Sequence, residues 1–311
     1  MNKKTLSIGI IVCDKDFQYL ESLLERIKDK VTGNYSIIIY NNCIENYDKL
    51  QNLKTDAVIL PNTYKTLNSR QVYARKMITE EAYRQKTDYI WFVDADDDVY
   101  AFNINKLKLK SDIILFQVGT IAEDGIFYKF DFSIAFPKNR TIHRLKKTYE
   151  YADNIGKPLW CKFVKTSIYK QVYDLIDAEN LPPISCSEDT LASMLCMKFA
   201  KNCYKLNKML YFQNRRLSNS NGFSVDFNDI KQCTIGIGEV FKLLDTLFTE
   251  EEKVQLNIQK LKSETVKWVL WRIIKIEDID ERFKAFDYLN DCLGDTYKKV
   301  FYLDIVDYMT K

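Results

Sequence analysis

The chain has 311 residues, of which 46% are hydrophobic and 29% charged, a composition typical of a globular protein that buries a substantial core. Its 46 basic and 43 acidic residues leave a net charge of only +3, which excludes a general polyanion binder and predicts no nucleic-acid partner. The eight cysteines form no Cys-x-x-Cys pair and no zinc-like spacing, so we expect reduced thiols and a cytoplasmic location.

The first predicted element is a buried strand over residues 7–12, followed by apolar residues with helical spacing between positions 19 and 27. The strand is too short for a membrane span, and the charged residues after it lack a cleavage site, so a signal peptide is not expected. No apolar stretch approaches the roughly 18 residues that cross a bilayer, and any membrane association is therefore expected to be peripheral.

Two further strands, a helix and a fourth strand follow within the first hundred residues. Residues 37–40 and 57–60 are apolar runs that end in turn-forming residues, a helical pattern covers about 68–84, and residues 89–93 are apolar throughout. This alternation predicts an α/β fold with a doubly wound, mostly parallel sheet, in which ligands bind beyond the carboxyl ends of the strands.

The remaining part of the chain has a different pattern. Strand-like runs at 113–118 and 126–134 predict a hairpin or an added mixed edge of the sheet, and the chain beyond residue 221 has helical periodicity. The expected domains are a sheet domain over residues 1–220, with halves at 1–110 and 111–220, and a C-terminal helical region over residues 221–311.

Polar residues follow three of the predicted strands. Cys13 and Asp14 follow the first, Asn41 and Asn42 follow the second, and an acidic cluster over 94–98 follows the fourth. Because the carboxyl ends of parallel strands meet at one edge of a sheet, we expect these groups to form one site.

The acidic cluster contains Asp94, Asp96, Asp97 and Asp98. Crowded carboxylates are costly unless a cation neutralises them, and Mg²⁺ or Mn²⁺ prefers such hard oxygen ligands and stabilises a departing diphosphate. The alternatives are a solvated acidic turn and the Asp-x-Asp of haloacid-dehalogenase-type phosphatases, although that motif lies near the N-terminus.

Residues 91–97, Trp-Phe-Val-Asp-Ala-Asp-Asp, resemble the Phe-x-Asp-x-Asp-Asp of the inverting glycosyltransferases of family 2, which have the GT-A fold. Residues 7–20 are similar to the opening strand and helix of that family, and residues 37–46 to its second strand, where asparagines replace two aspartates. The resemblance covers about residues 5–220, and it implies a nucleotide-binding first half and an acceptor-binding second half.

The resemblance also implies roles for individual residues. Asp96 and Asp94 would hold Mn²⁺ or Mg²⁺, and Asp94 would also contact the nucleotide. The other implied nucleotide-sugar contacts are Cys13, Asp14, Asn41, Asn42, Arg75 and Ala95. The alternatives are a simple turn for the two asparagines and an exposed salt bridge on a helix for Arg75.

Residues 159–163 and 185–191 are similar to the acceptor segment of that family, a Trp/Asn-x-Lys element followed by Glu-Asp at a helix start. The similarity implies acceptor contacts for Trp160 and Lys162. The alternatives are a tryptophan in the core and a solvated lysine.

The same similarity implies that Asp189 is the catalytic base and that Glu188 positions it or binds the acceptor. The alternative is a structural helix start, in which Ser187 caps the helix and acidic residues suit the helix dipole.

These expectations describe a metal-dependent inverting glycosyltransferase of the hexosyltransferase type. It would move a sugar from a nucleotide donor, such as a UDP-sugar, to a glycan or lipid-linked acceptor in bacterial surface polysaccharide or lipopolysaccharide synthesis. A catalytically idle nucleotide- or glycan-binding relative is the alternative, because asparagines replace two aspartates.

The C-terminal helices are expected to pack against the catalytic domain. One alternative is a homodimer, and another is peripheral contact with the inner face of the membrane. The residues assigned to the membrane contact are Lys267, Trp268, Trp271 and Arg272.

Overall fold

The computed structural model describes residues 4–62, 70–107, 109–121, 127–130, 141–143, 158–181, 184, 186–214 and 224–309. The chain forms two compact units. The sheet unit comprises Met1–Leu181 and Ala192–Arg215, and the helical unit comprises Pro182–Leu191 and Arg216–Lys311. The expected boundary near residue 220 lies outside the described residues and stays a prediction.

The described strands all lie in the sheet unit. They are β1 (Leu6–Val12), β2 (Val31–Thr32), β3 (Tyr35–Asn41), β4 (Val58–Leu60), β5 (Tyr89–Asp94), β6 (Asp98–Val99), β7 (Phe102–Asn103), β8 (Ile113–Ile121), β9 (Phe127–Phe130), β10 (Thr141–His143), β11 (Lys162–Lys165) and β12 (Asn202–Asn214).

The helices follow the same chain order through both units. They are α1 (Phe17–Lys30), α2 (Tyr47–Gln51), α3 (Arg70–Arg84), α4 (Thr166–Leu175), α5 (Glu188–Phe199), α6 (Phe227–Leu247), α7 (Glu250–Gln255), α8 (Ile258–Ile273) and α9 (Ile279–Met309). Short 3₁₀ turns cover Ile104–Lys106 and Leu159–Cys161.

The main sheet has the strand order β10-β12-β8-β11-β5-β1-β3-β4, and β6 and β9 pair with β12 and β8. Strands β5, β1, β3 and β4 are parallel, and β8 and β12 run in the same direction, whereas β11 is antiparallel to both β5 and β8. The expected α/β class with a mostly parallel sheet is confirmed, as are the strands predicted from 7–12, 37–40, 57–60 and 89–93. The hairpin predicted after residue 112 is confirmed as β8 and β9.

Close packing of helices on the sheet explains the composition of the central strands. Trp91 of β5 is fully buried, and its indole nitrogen donates to the Trp160 carbonyl at 2.8 Å. Gly9 of β1 lies directly under α3, where a Cβ atom would come within 2.7 Å of the Ile78 side chain. A larger residue at position 9 would therefore push α3 away from the sheet.

The helical unit contains α6 to α9, which confirms the predicted helical periodicity. Thr249 and Glu252 form a reciprocal capping box at the start of α7, so both side chains satisfy backbone N–H groups. Within the described ranges, no helix has the length and apolar composition needed to cross a bilayer.

Candidate active site

The carboxyl ends of three neighbouring strands bring the predicted site residues to one edge of the sheet. Val12 at the end of β1 pairs in register with Asn41 of β3, and Ile11 pairs with Asp94 of β5. The Asn42 backbone N–H donates to the Val12 carbonyl at 2.9 Å. Cys13, Asn42 and Asp94 therefore lie at the same edge, as parallel strand order requires.

The loop that follows β5, which we call the β5 loop (residues 94–98), is anchored by hydrogen bonds with β12. The carboxylate of Asp97, only 3% exposed, accepts hydrogen bonds from the Tyr211 hydroxyl and from the Asn214 backbone N–H at 2.7 Å. Burial raises the pKa of Asp97 well above its usual range, the charges of Asp94 and Asp96 raise it further, and these hydrogen bonds act against the rise. Asp97 therefore supports the loop, and its contacts do not favour a role in metal binding.

Asp98 is also bound by protein groups. Arg26 and Lys30 of α1 each contact its carboxylate at 3.0 Å, and Arg26 also donates to the Asp97 carbonyl at 3.3 Å. Two of the four crowded carboxylates are thus stabilised without any bound cation. The expectation that crowding alone requires a metal ion is therefore too broad for Asp97 and Asp98.

Asp94 and Asp96 occupy the outer part of the loop. The Asp94 side chain is exposed and that of Asp96 is half-buried, and the Asp96 carbonyl accepts from the Asn214 side chain at 3.0 Å. Asp16, after β1, lies close enough that its pKa is raised by burial and further by the negative charge of Asp96, against the opposing charge of Lys15. Negative charge from two strand ends therefore concentrates at this edge.

The donor set fits a divalent cation held partly by a substrate. Among the residues that the structure describes, no group of three or more His, Cys, Asp or Glu side chains is placed to hold a metal ion. Mg²⁺ usually binds through one or two carboxylates, water and substrate phosphates, not through a cage made only of protein. Asp94 and Asp96 match that arrangement and do not match a structural metal site.

The residues after β1 and β3 bind each other. The Asp14 carboxylate accepts from the Ile44 and Asn46 backbone N–H groups, both at 2.8 Å. Burial raises the pKa of Asp14, but these hydrogen bonds outweigh burial and leave it below the usual value. The Asn41 side chain accepts from the Cys43 N–H at 3.0 Å, which supports the simple-turn alternative for Asn41.

Asn42 differs from Asn41 because its side-chain oxygen accepts no hydrogen bond from the described part of the turn. Its nitrogen lies 3.6 Å from the Cys13 sulfur, whereas its buried side-chain oxygen has no hydrogen-bond partner within the described part of the chain. A buried acceptor without a donor is costly, so a ligand N–H or O–H is favoured at this position.

Arg75 of α3 is buried, with its guanidinium carbon 5.8 Å from the centre of the Phe92 ring. The alternative of an exposed salt bridge is therefore wrong for this residue. Phe92 and Asp94 point to the same face of the sheet, because they are two residues apart in β5. The nucleotide contact implied for Arg75, like that for Ala95, stays a prediction.

Trp160 and Lys162 both lie in the core. The Trp160 ring stacks on Tyr211 with the ring centres 5.0 Å apart, and the Lys162 amine donates to the Ser193 hydroxyl at 2.7 Å. Lys162 is fully buried, so the solvated-lysine alternative is wrong. These positions do not favour direct contact with an acceptor, and the acceptor roles stay untested predictions.

Glu188 and Asp189 form the first turn of α5, as the sequence predicted. The preceding residue, Ser187, has a left-handed backbone conformation with φ of 65°, and its carbonyl accepts from the Leu191 N–H. Such strain in a residue other than glycine is most often retained near functional sites. The catalytic roles of Glu188 and Asp189 stay predictions.

The residues that hold the β5 loop had no assigned role in the sequence analysis. They are Arg26, Lys30, Tyr211 and Asn214. Arg26 and Lys30 have the four-residue spacing of one helix face, which could have indicated a shared acidic partner. Tyr211 and Asn214 are more than 110 residues from the loop, so no local pattern could have linked them to it.

No protein-family model and no curated protein sequence matches the chain. Among solved structures, Staphylococcus aureus TarS is similar, with 14% identity and a TM-score of 0.50 over 95% of this chain and 54% of that chain. The structure of TarS 1–349 in complex with UDP-GlcNAc matches with 13% identity and a TM-score of 0.49, covering 94% of this chain and 90% of that chain. At this identity the likeness concerns the fold, and the expected GT-A type of α/β fold is confirmed.

Proposed function

We propose that this protein is a glycosyltransferase that moves a sugar from a nucleoside-diphosphate donor to a glycan or lipid-linked acceptor. The observation that carries the proposal is the arrangement of the four carboxylates of the β5 loop at the edge of the sheet. The side chains of Asp97 and Asp98 are held by β12 and α1, and Asp94 and Asp96 lie at the edge of the sheet where β1 and β3 also end. The fold shared with TarS supports it, because S. aureus TarS 1–349 has been crystallised with UDP-GlcNAc and with UDP.

In this proposal Asp96 and Asp94 hold Mn²⁺ or Mg²⁺, which supplies positive charge for the diphosphate leaving group. Asn214 and Tyr211 keep the two carboxylates in place by fixing the backbone between them. The Asn42 oxygen accepts a hydrogen bond from the base or ribose, and Cys13 lies beside it. Asp14 shapes the neighbouring loop through its backbone contacts.

The proposed reaction inverts the anomeric centre. The acceptor hydroxyl oxygen forms a bond to the anomeric carbon as the bond from that carbon to the diphosphate oxygen breaks, and the hydroxyl proton passes to a carboxylate. We assign Asp189 as the base that accepts this proton and Glu188 as the residue that positions Asp189, on the basis of the family resemblance alone. The proposed pathway is bacterial surface polysaccharide or lipopolysaccharide synthesis on the cytoplasmic side.

Of the membrane contacts considered for the C-terminal helices, one is wrong. Arg272 is fully buried and cannot reach a lipid surface, whereas the Trp271 side chain is exposed. Peripheral contact through Trp271 and pairing of two chains through these helices stay untested.

The proposal is tested by incubating the protein with a panel of nucleotide sugars, beginning with UDP-GlcNAc, and measuring release of nucleoside diphosphate. We expect release with Mn²⁺ or Mg²⁺ and its loss in chelator. Binding of a nucleotide sugar without turnover, across donors and candidate acceptors, would instead identify an idle relative. Release of phosphate from simple monoesters that is lost in Asp94→Asn would identify a phosphatase.

A further inference from the structure

A group of exposed apolar side chains lies in the helical unit, where α8 passes into α9. Trp271 and Ile274 at the end of α8 are 41% and 48% exposed, and Ile279 and Phe283 at the start of α9 are 63% and 65% exposed. Among the residues that the structure describes, ten large apolar side chains are exposed, and these four fall within 13 consecutive positions. We call them the α8–α9 patch, and the proposed transfer reaction uses none of them.

The backbone brings the two halves of the patch to one end of the unit. The first pair is three residues apart on α8 and the second pair is four residues apart on α9, so each pair shares a helix face. The link between the helices is fixed by Arg282, whose Nε donates to the Ile276 carbonyl at 2.8 Å. Five residues separate Ile274 from Ile279, a distance of at most about 18 Å. All four side chains therefore lie close enough to share one interface of standard size.

The other side of α8 is fixed in the interior of the unit. Arg272, next to Trp271, is fully buried, and its Nε donates to the Ser224 carbonyl at 2.8 Å. Val269 and Ile273 are fully buried as well. A rotation of α8 that buried Trp271 would expose these apolar residues, so the patch remains on the surface of the unit.

The size of the patch fits the apolar centre of an interface. From their exposed fractions, the four residues present roughly 400 Å² of surface, a size at which apolar patches often mark a site of association. A standard interface buries about 800 Å² on each partner, of which about 60% is apolar. The patch therefore supplies most of the apolar area that one partner of a stable dimer needs.

The charges around the patch have both signs in nearly equal number. Between positions 275 and 284, three basic and four acidic side chains are partly or fully exposed, namely Lys275, Arg282, Lys284, Glu277, Asp278, Asp280 and Glu281. An anionic lipid surface attracts basic residues, and the carboxylates beside Ile279 oppose that attraction. A second copy of the chain has the same mixed rim, so basic groups of each copy can face acidic groups of the other.

We propose that the α8–α9 patch is the centre of an interface between two copies of this chain, related by a two-fold axis. Trp271 and Phe283 would form its aromatic core, and the charged side chains would form its rim. In such an interface each residue acts twice, because each copy presents the same surface to the other. The inference does not depend on the proposed function, because it is tested by mass and not by sugar transfer.

The test is sedimentation velocity of the full-length protein over a hundredfold range of concentration. We expect the mass to rise with concentration to twice that of one chain. Phe283→Ala should raise the dimer dissociation constant by about 30-fold or more, because a central aromatic residue is removed from both copies. Val254→Ala is the matched control, since Val254 is 66% exposed but lies on α7, before the start of α8, which is about 24 Å long. It should leave the dissociation constant unchanged.

Three results would overturn the proposal. The first is the mass of a single chain throughout the concentration range, and the second is a dimer whose dissociation constant is unchanged in Phe283→Ala and in Ile279→Ala. The third is cosedimentation with vesicles of phosphatidylethanolamine and phosphatidylglycerol that both substitutions abolish, which would assign the patch to a membrane. Circular dichroism of each variant checks that it is folded.

The charged rim is tested by exchanging its charges. Lys275→Glu and Lys284→Glu together should weaken self-association by about tenfold or more, and so should Glu277→Lys and Glu281→Lys together, because like charges then face each other. An equimolar mixture of the two double variants should form a mixed dimer of nearly wild-type affinity, since opposite charges face each other again. A mixture that associates no more tightly than either double variant alone would contradict a second copy as the partner.

Discussion

The β5 loop and the surroundings of Arg272 in α8 both bury an ionisable group, but they stabilise it differently. Asp97 is surrounded by donors, namely the Tyr211 hydroxyl and the Asn214 N–H, so its burial is compensated by hydrogen bonds. Arg272 has one backbone acceptor and an aromatic ring, and its terminal nitrogens have no partner of standard geometry in the described part of the helical unit. A satisfied buried group makes a rigid support, whereas an incompletely satisfied one leaves part of its desolvation cost uncompensated.

The residues of the β5 loop also differ in how they are held. Its inner residues, Asp97 and Asp98, are held by β12 and α1, and this leaves Asp94 and Asp96 in fixed positions at the edge of the sheet. Substitutions in the loop should therefore affect either stability or activity, according to which half they change.

The largest effect is expected from Asp96→Asn. If Asp96 holds the metal ion, removing its charge should lower sugar transfer by about 100-fold or more, since the loss falls on stabilisation of the leaving group. The melting temperature should change little, because the side chain is half-buried and only the backbone of Asp96 supports the loop. Steady-state turnover and thermal unfolding are measured together, with Asp174→Asn, an exposed residue of α4, as the matched control.

Tyr211→Phe, in contrast to Asp96→Asn, should lower the stability of the protein. It removes the hydroxyl that donates to the Asp97 carboxylate and accepts from the Asp94 N–H. We expect a loss of about 1–3 kcal/mol in the free energy of unfolding, measured by denaturant titration. Tyr83→Phe removes an exposed hydroxyl of α3 and should change stability by less than about 0.5 kcal/mol. Equal effects of the two variants would show that the buried network does not support the loop.

Asp14→Asn should lower the free energy of unfolding by a smaller, pH-dependent amount of about 0.5–2 kcal/mol, as for other side chains that bind backbone N–H groups. The folded protein lowers the pKa of Asp14, so the ionised carboxylate stabilises the fold above the usual aspartate pKa of about 4. This contribution is lost as the pH falls through the folded pKa. Unfolding curves of the two proteins should therefore differ at pH 7 and converge as the pH falls below the folded pKa of Asp14; a constant difference would contradict the assignment.

Arg272→Met should change stability by less than about 1 kcal/mol, because an apolar chain of similar length removes a buried, incompletely satisfied cation and keeps the packing on Trp268. The same variant should raise the pKa of Cys233, which is measured from the pH dependence of iodoacetamide labelling. A loss of more than about 3 kcal/mol would show that Arg272 is as well satisfied as Asp97.

Lys30→Gln should have the smallest effect. Lys30 and Asp98 are both partly exposed, and Arg26 remains on the same carboxylate. We expect the free energy of unfolding to fall by less than about 0.5 kcal/mol, and by still less in 1 M salt, as is usual for surface ion pairs. A larger loss that salt does not reduce would mean that α1 holds the loop by a different interaction.

The sheet and its edge could be predicted because their pattern is local. The apolar runs that form β1, β3, β4 and β5 are continuous, and the polar residues that follow β1, β3 and β5 stand directly after them. The contacts that decide the role of each aspartate join distant residues, such as Asp97 with Tyr211. The contact of Arg272 with the Ser224 carbonyl also joins residues far apart in sequence, so periodicity could not show it.

The division of roles within the β5 loop is tested most directly by isothermal titration calorimetry of UDP binding with Mn²⁺ and with chelator. The wild type should bind at least about tenfold more tightly with Mn²⁺, and Asp96→Asn should lose that gain while Asp174→Asn keeps it. Equal affinity of the wild type in Mn²⁺ and in chelator, or an unchanged metal-dependent gain in Asp96→Asn, would contradict the assignment of Asp96.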